Sequence, residues 1–285
     1  MVSFQDDKTR LAPLVLAHGL MGFNRVGLSS WTLAVYFRGI PQFLEQFGFR
    51  IYTPRVHPMA GIRQRAESLA RQIDRKFPGE PIHLIGHSMG GLDVRQLASL
   101  PGWSERILSL TTVGSPHLGS LLGEHFYPYS RPLRSLLDAV GVDHRGFRDV
   151  LPEFALRWHQ ETIAPPGVPC FSMAGNPPGS SVCWPLRQLA RIHQSLDGPN
   201  DGLVSVRSAL AFGQPLMTLP IDHFHQMNWY TSSRGTQLSP WVQTLYGTIG
   251  RTLLQHDPAF RFLPAQDQEP AKISEVKTQP ELGIG

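Results

Sequence analysis

Gly86-His87-Ser88-Met89-Gly90 decides how this chain reads. The pentapeptide has the form G-x-S-x-G. It follows an apolar run, Pro81-Ile82-His83-Leu84-Ile85, that reads as a buried strand. Gly91-Leu92-Asp93-Val94-Arg95-Gln96-Leu97-Ala98 then reads as the opening of a helix. Strand, sharp turn and helix form the setting in which this pattern presents a nucleophilic serine at the top of a sheet. The glycines belong to the same reading. A side chain at Gly86 or Gly90 would collide with the neighbouring strand or helix, and the serine between them is held in a strained turn. Alone, the pattern is weak, since an ordinary Gly/Ser turn also fits it.

Outward from that turn, strands and helices alternate. Leu14-Val15-Leu16-Ala17-His18 reads as a buried strand ending at a glycine. Tyr36 to Phe47 reads as a helix with Phe37, Ile40, Phe43, Leu44 and Phe47 on one side. Arg50 to Thr53 is the next strand, stopped by Pro54. Gly61 to Phe77 is an amphipathic helix, with Ile62, Ala66, Leu69, Ile73 and Phe77 at helical spacing. Ile107 to Val113 is a strand. This alternation implies a mostly parallel sheet with helices on both faces and right-handed crossovers. After Gly119 the pattern lapses, and residues 121–165 read as a helical cap inserted over the sheet. Val168 to Ala174 and Leu216 to Leu219 resume as strands, and Trp241 to Leu254 is the last helix. Residues 264–285 are polar and rich in Pro, Gln and Glu, so a disordered tail is expected beyond a single domain over 1–263.

The chain has 285 residues, 41% of them hydrophobic, enough for a sizeable core. No apolar run is long enough to cross a bilayer. Met1 to Lys8 is polar and acidic and lacks the pattern of a secretory signal, so a cytoplasmic location is expected. The net charge is +4, and the arginines are scattered rather than blocked. Arg63, Arg65, Arg71 and Arg75 on one helix read as a solvated face, which argues against a nucleic-acid partner. No basic amphipathic helix marks the chain as a membrane-surface binder. Cys170 and Cys183 cannot form a metal cluster by themselves. Cys170 reads as a buried small hydrophobe, and a Cys170–Cys183 disulfide is disfavoured in a reducing compartment.

A serine hydroxyl needs a base to take its proton and an acid to orient that base. In the α/β-hydrolase arrangement these follow in the order Ser, Asp or Glu, His. Downstream of Ser88 stand Asn200-Asp201-Gly202-Leu203-Val204-Ser205 and Ile221-Asp222-His223-Phe224-His225. Asp201 lies in a turn before an apolar pair, as a carboxylate at a strand end would. His223 lies on a loop just after a strand. His225 is a rival base and Asp197 a weaker rival acid. Asp222 reads as a surface or turn residue, its side chain directed away from that of His223. His18 and His117 read as structural, and His87 as packing locally.

Three further stretches join these: Pro13 to Phe23, Gly86 to Gly91, and Thr111-Thr112-Val113-Gly114-Ser115-Pro116-His117-Leu118-Gly119-Ser120. Together with Asn200 to Ser205 and in this order, they resemble the bacterial true lipases of the Pseudomonas, Burkholderia and Proteus group. The resemblance spans roughly Pro13 to Asn228. It implies that Ser88 is the nucleophile, Asp201 the acid and His223 the base. It also implies an oxyanion hole built from the backbone N–H groups of Met89 and, in His18-Gly19-Leu20, of Leu20. One such donor is worth about 3–4 kcal/mol of transition-state stabilisation.

The chain departs from that family at one place. Secreted members carry a calcium ion beside the loop of the catalytic histidine. Its ligands include an Asp two positions after that histidine and a Gln four positions further on, where this chain has His225 and Trp229. Neither offers a hard cation an oxygen ligand. The calcium site is therefore expected to be absent and no cofactor is expected, with Phe224, Met227 and Trp229 holding the loop by packing. The expectation overall is an α/β-hydrolase that cleaves carboxylic esters of apolar acyl groups through an acyl-enzyme on Ser88, with at most transient contact with a lipid surface. Phospholipid or thioester cleavage, or acyl transfer, would use the same site. A catalytically silent binding protein would have lost a triad position, and none is lost. Oligomeric state leaves no trace in the sequence.

Overall fold

Six strands make one sheet: β1 Pro13–Ala17, β2 Arg50–Tyr52, β3 Ile82–His87, β4 Ile107–Val113, β5 Cys170–Gly175 and β6 Gln214–Leu219. Their spatial order is β2-β1-β3-β4-β5-β6, and every neighbouring pair is parallel. This is the α/β-hydrolase architecture. The structure, a computed structural model, describes residues 10–20, 36–120, 135, 143–229 and 237–263. All residues of β1, β3 and β5 are buried, as a parallel sheet covered on both faces requires. The outermost strands differ. β2 has only three residues, and β6 carries Pro215 and several exposed positions.

The period of two along β1 sorts its side chains between two cores. Leu14 and Leu16 join Ile85 and Met173 on one face, under helices α1 (Ile40–Glu45) and α6 (Pro240–His256). Val15 and Ala17 join Leu84 and Leu110 on the other, under α2 (Ile62–Lys76) and α3 (Met89–Ala98). Full burial of one such Leu or Ile contributes about 1.5–3 kcal/mol. α4 (Pro152–Glu161) and α5 (Arg187–Leu196) complete the longer helices among the described residues. A parallel sheet sends all its strand C-termini to one edge. There β1 delivers His18 to Leu20, β3 delivers Ser88, β4 delivers Gly114, and β6 leads to Ile221, Asp222 and His223.

Several details differ from the sequence reading. The helix expected from Tyr36 forms only over Ile40–Glu45, because Gly39 takes a left-handed φ of 74° and breaks the run. Arg65 is not solvated: it is fully buried. It falls on the same helical stripe as Ile62, Ala66 and Leu69, so the core-facing side of α2 carries it inward. Its Nε donates to Asp93 Oδ2 at 2.8 Å, and its Nη atoms donate to the carbonyls of His18 and His57. Burial pushes the Asp93 carboxyl up to about 6, with the charge and hydrogen bond of Arg65 working against it. Arg63, Arg71 and Arg75 are exposed as expected. Both cysteines are free, Cys170 buried in β5 and Cys183 half-buried. Of the expected cap, only residue 135 and the stretch from 143 onward are described, so the rest of 121–142 lies outside the described residues, as does the tail 264–285.

Candidate active site

Ser88 sits between β3 and α3 at φ 56° and ψ −130°. Its N–H donates to Val113 O at 2.9 Å, and its carbonyl accepts from Gly91 N at 3.0 Å. The two flanking glycines let the backbones close up. A Cβ on Gly90 would overlap the Ala17 carbonyl, and one on Gly86 would overlap the Gly90 backbone. α3 therefore starts directly against β1, and Ser88 is lifted clear of the sheet on a turn that a non-glycine residue rarely adopts. The loop after β1 meets it there. A Cβ on Gly19 would come within 2.8 Å of Ser88 Cβ and 3.2 Å of its Oγ.

Asp201 and His223 are brought together from 22 residues apart. His223 Nδ1 lies 2.8 Å from Asp201 Oδ2. The backbone assists, with His223 N donating to Asp201 O at 2.9 Å. Asp201 is fully buried, and His223 is 3% exposed. Every acceptor position of the carboxylate is used. Oδ1 accepts from the N–H groups of Leu203 at 3.0 Å and Val204 at 2.8 Å, while Oδ2 also accepts from Gln226 Nε2 at 2.9 Å. Burial alone would raise the Asp201 carboxyl. His223 and the two amides outweigh it and hold the group below its ordinary range. A carboxylate accepting at Oδ2 fixes the proton on His223 Nδ1, which leaves Nε2 as the basic nitrogen. The ring of His223 lies 4.7 Å, centroid to centroid, from that of His87, the residue before Ser88. All three proposed triad residues thus gather at one edge of the sheet.

Leu20 and Met89 fall in one small apolar cluster with Ile62, Leu92 and Val150. Met89 is the first residue of α3, where amide N–H groups have no acceptor within their own helix and the helix dipole favours negative charge. Residues 21–35 and most of 121–142 lie outside the described residues.

The rivals are engaged elsewhere. His225 Nε2 is 2.7 Å from Ser239 Oγ, at the N-cap of α6. Asp197 receives Arg207 Nη2 at 2.6 Å. Asp222 is no surface residue: it is 1% exposed. Its Oδ2 accepts from Cys183 N and its Oδ1 from His225 N, both at 2.8 Å, so it ties two loops together. His18 and His117 are fully buried, His18 with its Nε2 accepting from Val56 N and its pKa lowered to about 4 by burial and Arg65. Three residues escaped the sequence reading as parts of this site: Tyr36, His87 and Gln226. Only His87, by its place beside Ser88, carried any signal.

The loop after His223 does not fit a hard cation. The Asp222 carboxylate is filled by two amides, His225 faces Ser239, and the Trp229 indole donates to Tyr36 O at 2.9 Å. Among the described residues no three His, Cys, Asp or Glu gather as metal ligands. Met227 is buried in the main core with Phe224 packed against it, as expected, but Trp229 remains 43% exposed and holds by its N–H as much as by packing.

Comparison with known proteins agrees with this fold. The family described as the alpha/beta hydrolase fold matches residues 63–160. A triacylglycerol lipase of Pseudomonas fragi is 35% identical over 279 residues, covering 80% of this chain and 92% of that protein. Triacylglycerol lipase 2 of Saccharomyces cerevisiae is 30% identical over 206 residues, covering 68% of this chain; the match spans 62% of the yeast protein's length. Among solved structures, the Staphylococcus hyicus lipase superposes with a TM-score of 0.68 at 18% identity, covering 88% of this chain and 96% of that one. A metagenomic carboxyl esterase gives 0.66 at 22% identity, covering 86% and 76%.

Proposed function

The chain belongs to the triacylglycerol lipases of the α/β-hydrolase superfamily, carboxylic ester hydrolases, and from that membership we propose that it cleaves esters of apolar acyl groups through an acyl-enzyme on Ser88. The observation that carries the reading is the buried Asp201–His223 pair, set at 2.8 Å beside the strained turn of Ser88.

In the proposed mechanism His223 Nε2 takes the Ser88 proton as Oγ attacks the ester carbonyl carbon. Asp201 holds the ring and stabilises the imidazolium that forms. The N–H groups of Leu20 and Met89 receive the oxyanion of the tetrahedral intermediate. Collapse expels the alcohol, which takes its proton from His223. Water, deprotonated by the same nitrogen, then attacks the acyl-enzyme, and the carboxylic acid leaves with Ser88 restored. Lipid esters are the proposed substrates. The relatives' printed names support this, and so does the surface apolarity at Trp184, 81% exposed, and Leu196, 67% exposed, which also suits brief contact with a lipid surface. No helix among the described residues is long and apolar enough to cross a membrane. The two free thiols suit the reducing setting of a cytoplasmic location, which is part of the proposal.

A chain-length series of acyl esters, with thioester and phospholipid members, tests the reading on wild type, Ser88→Ala and Asp201→Asn. The expected result is turnover of the carboxylic esters by wild type and fluorophosphonate labelling at Ser88. Both variants should stay folded and lose on the order of 10³-fold or more in kcat. A wild-type protein that neither turns over any member nor takes the label would sink it.

A further inference from the structure

One buried chain of hydrogen bonds runs from the acid of the triad to the loop of the oxyanion hole. It starts at Asp201 Oδ2, which accepts from Gln226 Nε2 at 2.9 Å. Gln226 Oε1 lies 3.1 Å from His87 Nε2. His87 Nδ1 lies 2.7 Å from the Tyr36 hydroxyl, and that hydroxyl accepts from Gly19 N at 2.9 Å. Gly19 immediately precedes Leu20. Gln226, His87 and Tyr36 are buried, at 1%, 0% and 4% exposure.

The direction of each bond follows from the first. An ionised carboxylate only accepts, so the Gln226 amide must turn Nε2 toward Asp201 and Oε1 toward His87. His87 Nε2 must then carry the proton. Burial, and next the proximity of His223, hold this imidazole well below its ordinary pKa, so it is neutral and Nδ1 is a bare acceptor. Tyr36 must donate to it, and its remaining lone pair receives Gly19 N–H. Burial raises the Tyr36 hydroxyl, which keeps its proton. Every donor in the chain points toward Asp201, so each bond polarises the next. The far end also touches the nucleophile, since a Cβ on Gly19 would meet both the Tyr36 hydroxyl at 2.6 Å and Ser88 Cβ at 2.8 Å.

We propose that Tyr36, His87 and Gln226 are positioning residues of ester hydrolysis, holding the Gly19-Leu20 loop in register with the Asp201–His223 pair through this one-directional chain. The inference rests on the triad reading above. Tyr36 sets the orientation of the peptide that leads into the Leu20 donor. Gln226 shares the carboxylate oxygen that His223 uses, so it tempers how strongly Asp201 holds the ring.

Tyr36→Phe and Gln226→Met each remove polar ends and keep bulk. With a short acyl ester, Tyr36→Phe is expected to lower kcat on the order of 10- to 100-fold with KM within about twofold. Affinity for an alkyl boronic acid, which mimics the tetrahedral intermediate, should fall in the same ratio as kcat/KM. Affinity for an ether analogue of the ester should not change. Gln226→Met is expected to move the acidic limb of the kcat/KM profile to higher pH by about half a unit or more, because Asp201 loses a competing donor. The double variant should fall short of the product of the two single effects by about threefold or more, as members of one chain do. Kinetic and boronate constants within twofold of wild type for Tyr36→Phe, or an unmoved limb for Gln226→Met, would overturn the proposal. If Tyr36→Phe does not fold, the limb of Gln226→Met decides alone. A wild type without esterase activity or fluorophosphonate labelling defeats the triad reading instead, and is distinguished by that.

Discussion

Ser88, the proposed nucleophile, carries a conformational load. At φ 56° and ψ −130° its Cβ crowds the backbone, and only glycine is relieved of that. Two inactive variants should therefore differ in stability. Ser88→Gly is expected to unfold about 1 kcal/mol later than Ser88→Ala, roughly 2–4 °C in melting temperature. Thermal scans of both check it, and a glycine variant melting below the alanine one would show the turn to be unstrained. At this scale the sequence made legible the turn at Ser88 and the pairing of Asp201 with His223, because each residue type sits in a fixed local setting. It was misleading at Arg65 and Asp222. Burial of a charge depends on a partner far along the chain, here Asp93 for Arg65 and the amide of Cys183 for Asp222. Nothing local announces such partners. Gln226 and Tyr36 were silent for the same reason, since their bonds join segments 25 and 51 residues apart.

Among elements, the loop from Asp222 to Trp229 bears His223, the proposed base, and is fastened by hydrogen bonds to its own neighbours. Asn228 donates through Nδ2 to Arg38 O and Gln237 O, and its Oδ1 accepts from Ser239 N. With His225 on Ser239 and the Trp229 indole on Tyr36, the loop is fastened to the start of α6 and to the segment before α1. Exhaustive chelation is therefore expected to leave both turnover and melting temperature unchanged. Activity that falls with chelator and returns with added calcium would refute this. The strands themselves were easy to read: β1 is a continuous apolar run, and β3 and β4 are rich in Ile, Leu, Val and Thr, of the kind a doubly covered sheet demands. α1 was harder. Phe37 and Ile40 are both buried, but the left-handed Gly39 between them breaks the helical run that their spacing suggests.

For the molecule as a whole, Asp257 closes the sheet at the end remote from Ser88. Following the last turn of α6, it accepts from Ala12 N at 2.8 Å, just before β1, and from Ala259 N at 2.8 Å, with His83 Nε2 at 3.3 Å. Asp257→Ala leaves these donors unpaired and is expected to cost about 2–4 kcal/mol. Urea titration should show that loss, with ester turnover at 25 °C within twofold of wild type because the site lies at the opposite edge. Burial would raise the Asp257 carboxyl, but His83 and the two amides outweigh it and keep it below the ordinary value. Its stabilisation is therefore complete above the ordinary carboxylate value of about 4 and drains away as pH falls through the lowered native value. Wild type and variant should converge in stability under strong acid. The outermost strands have a consequence of another kind. A second molecule seeking to extend the sheet would find three residues to copy at β2, and at β6 a proline with no N–H to offer. Among the described residues, both borders thus offer crowded copies a short or interrupted template for backbone-to-backbone fibril growth.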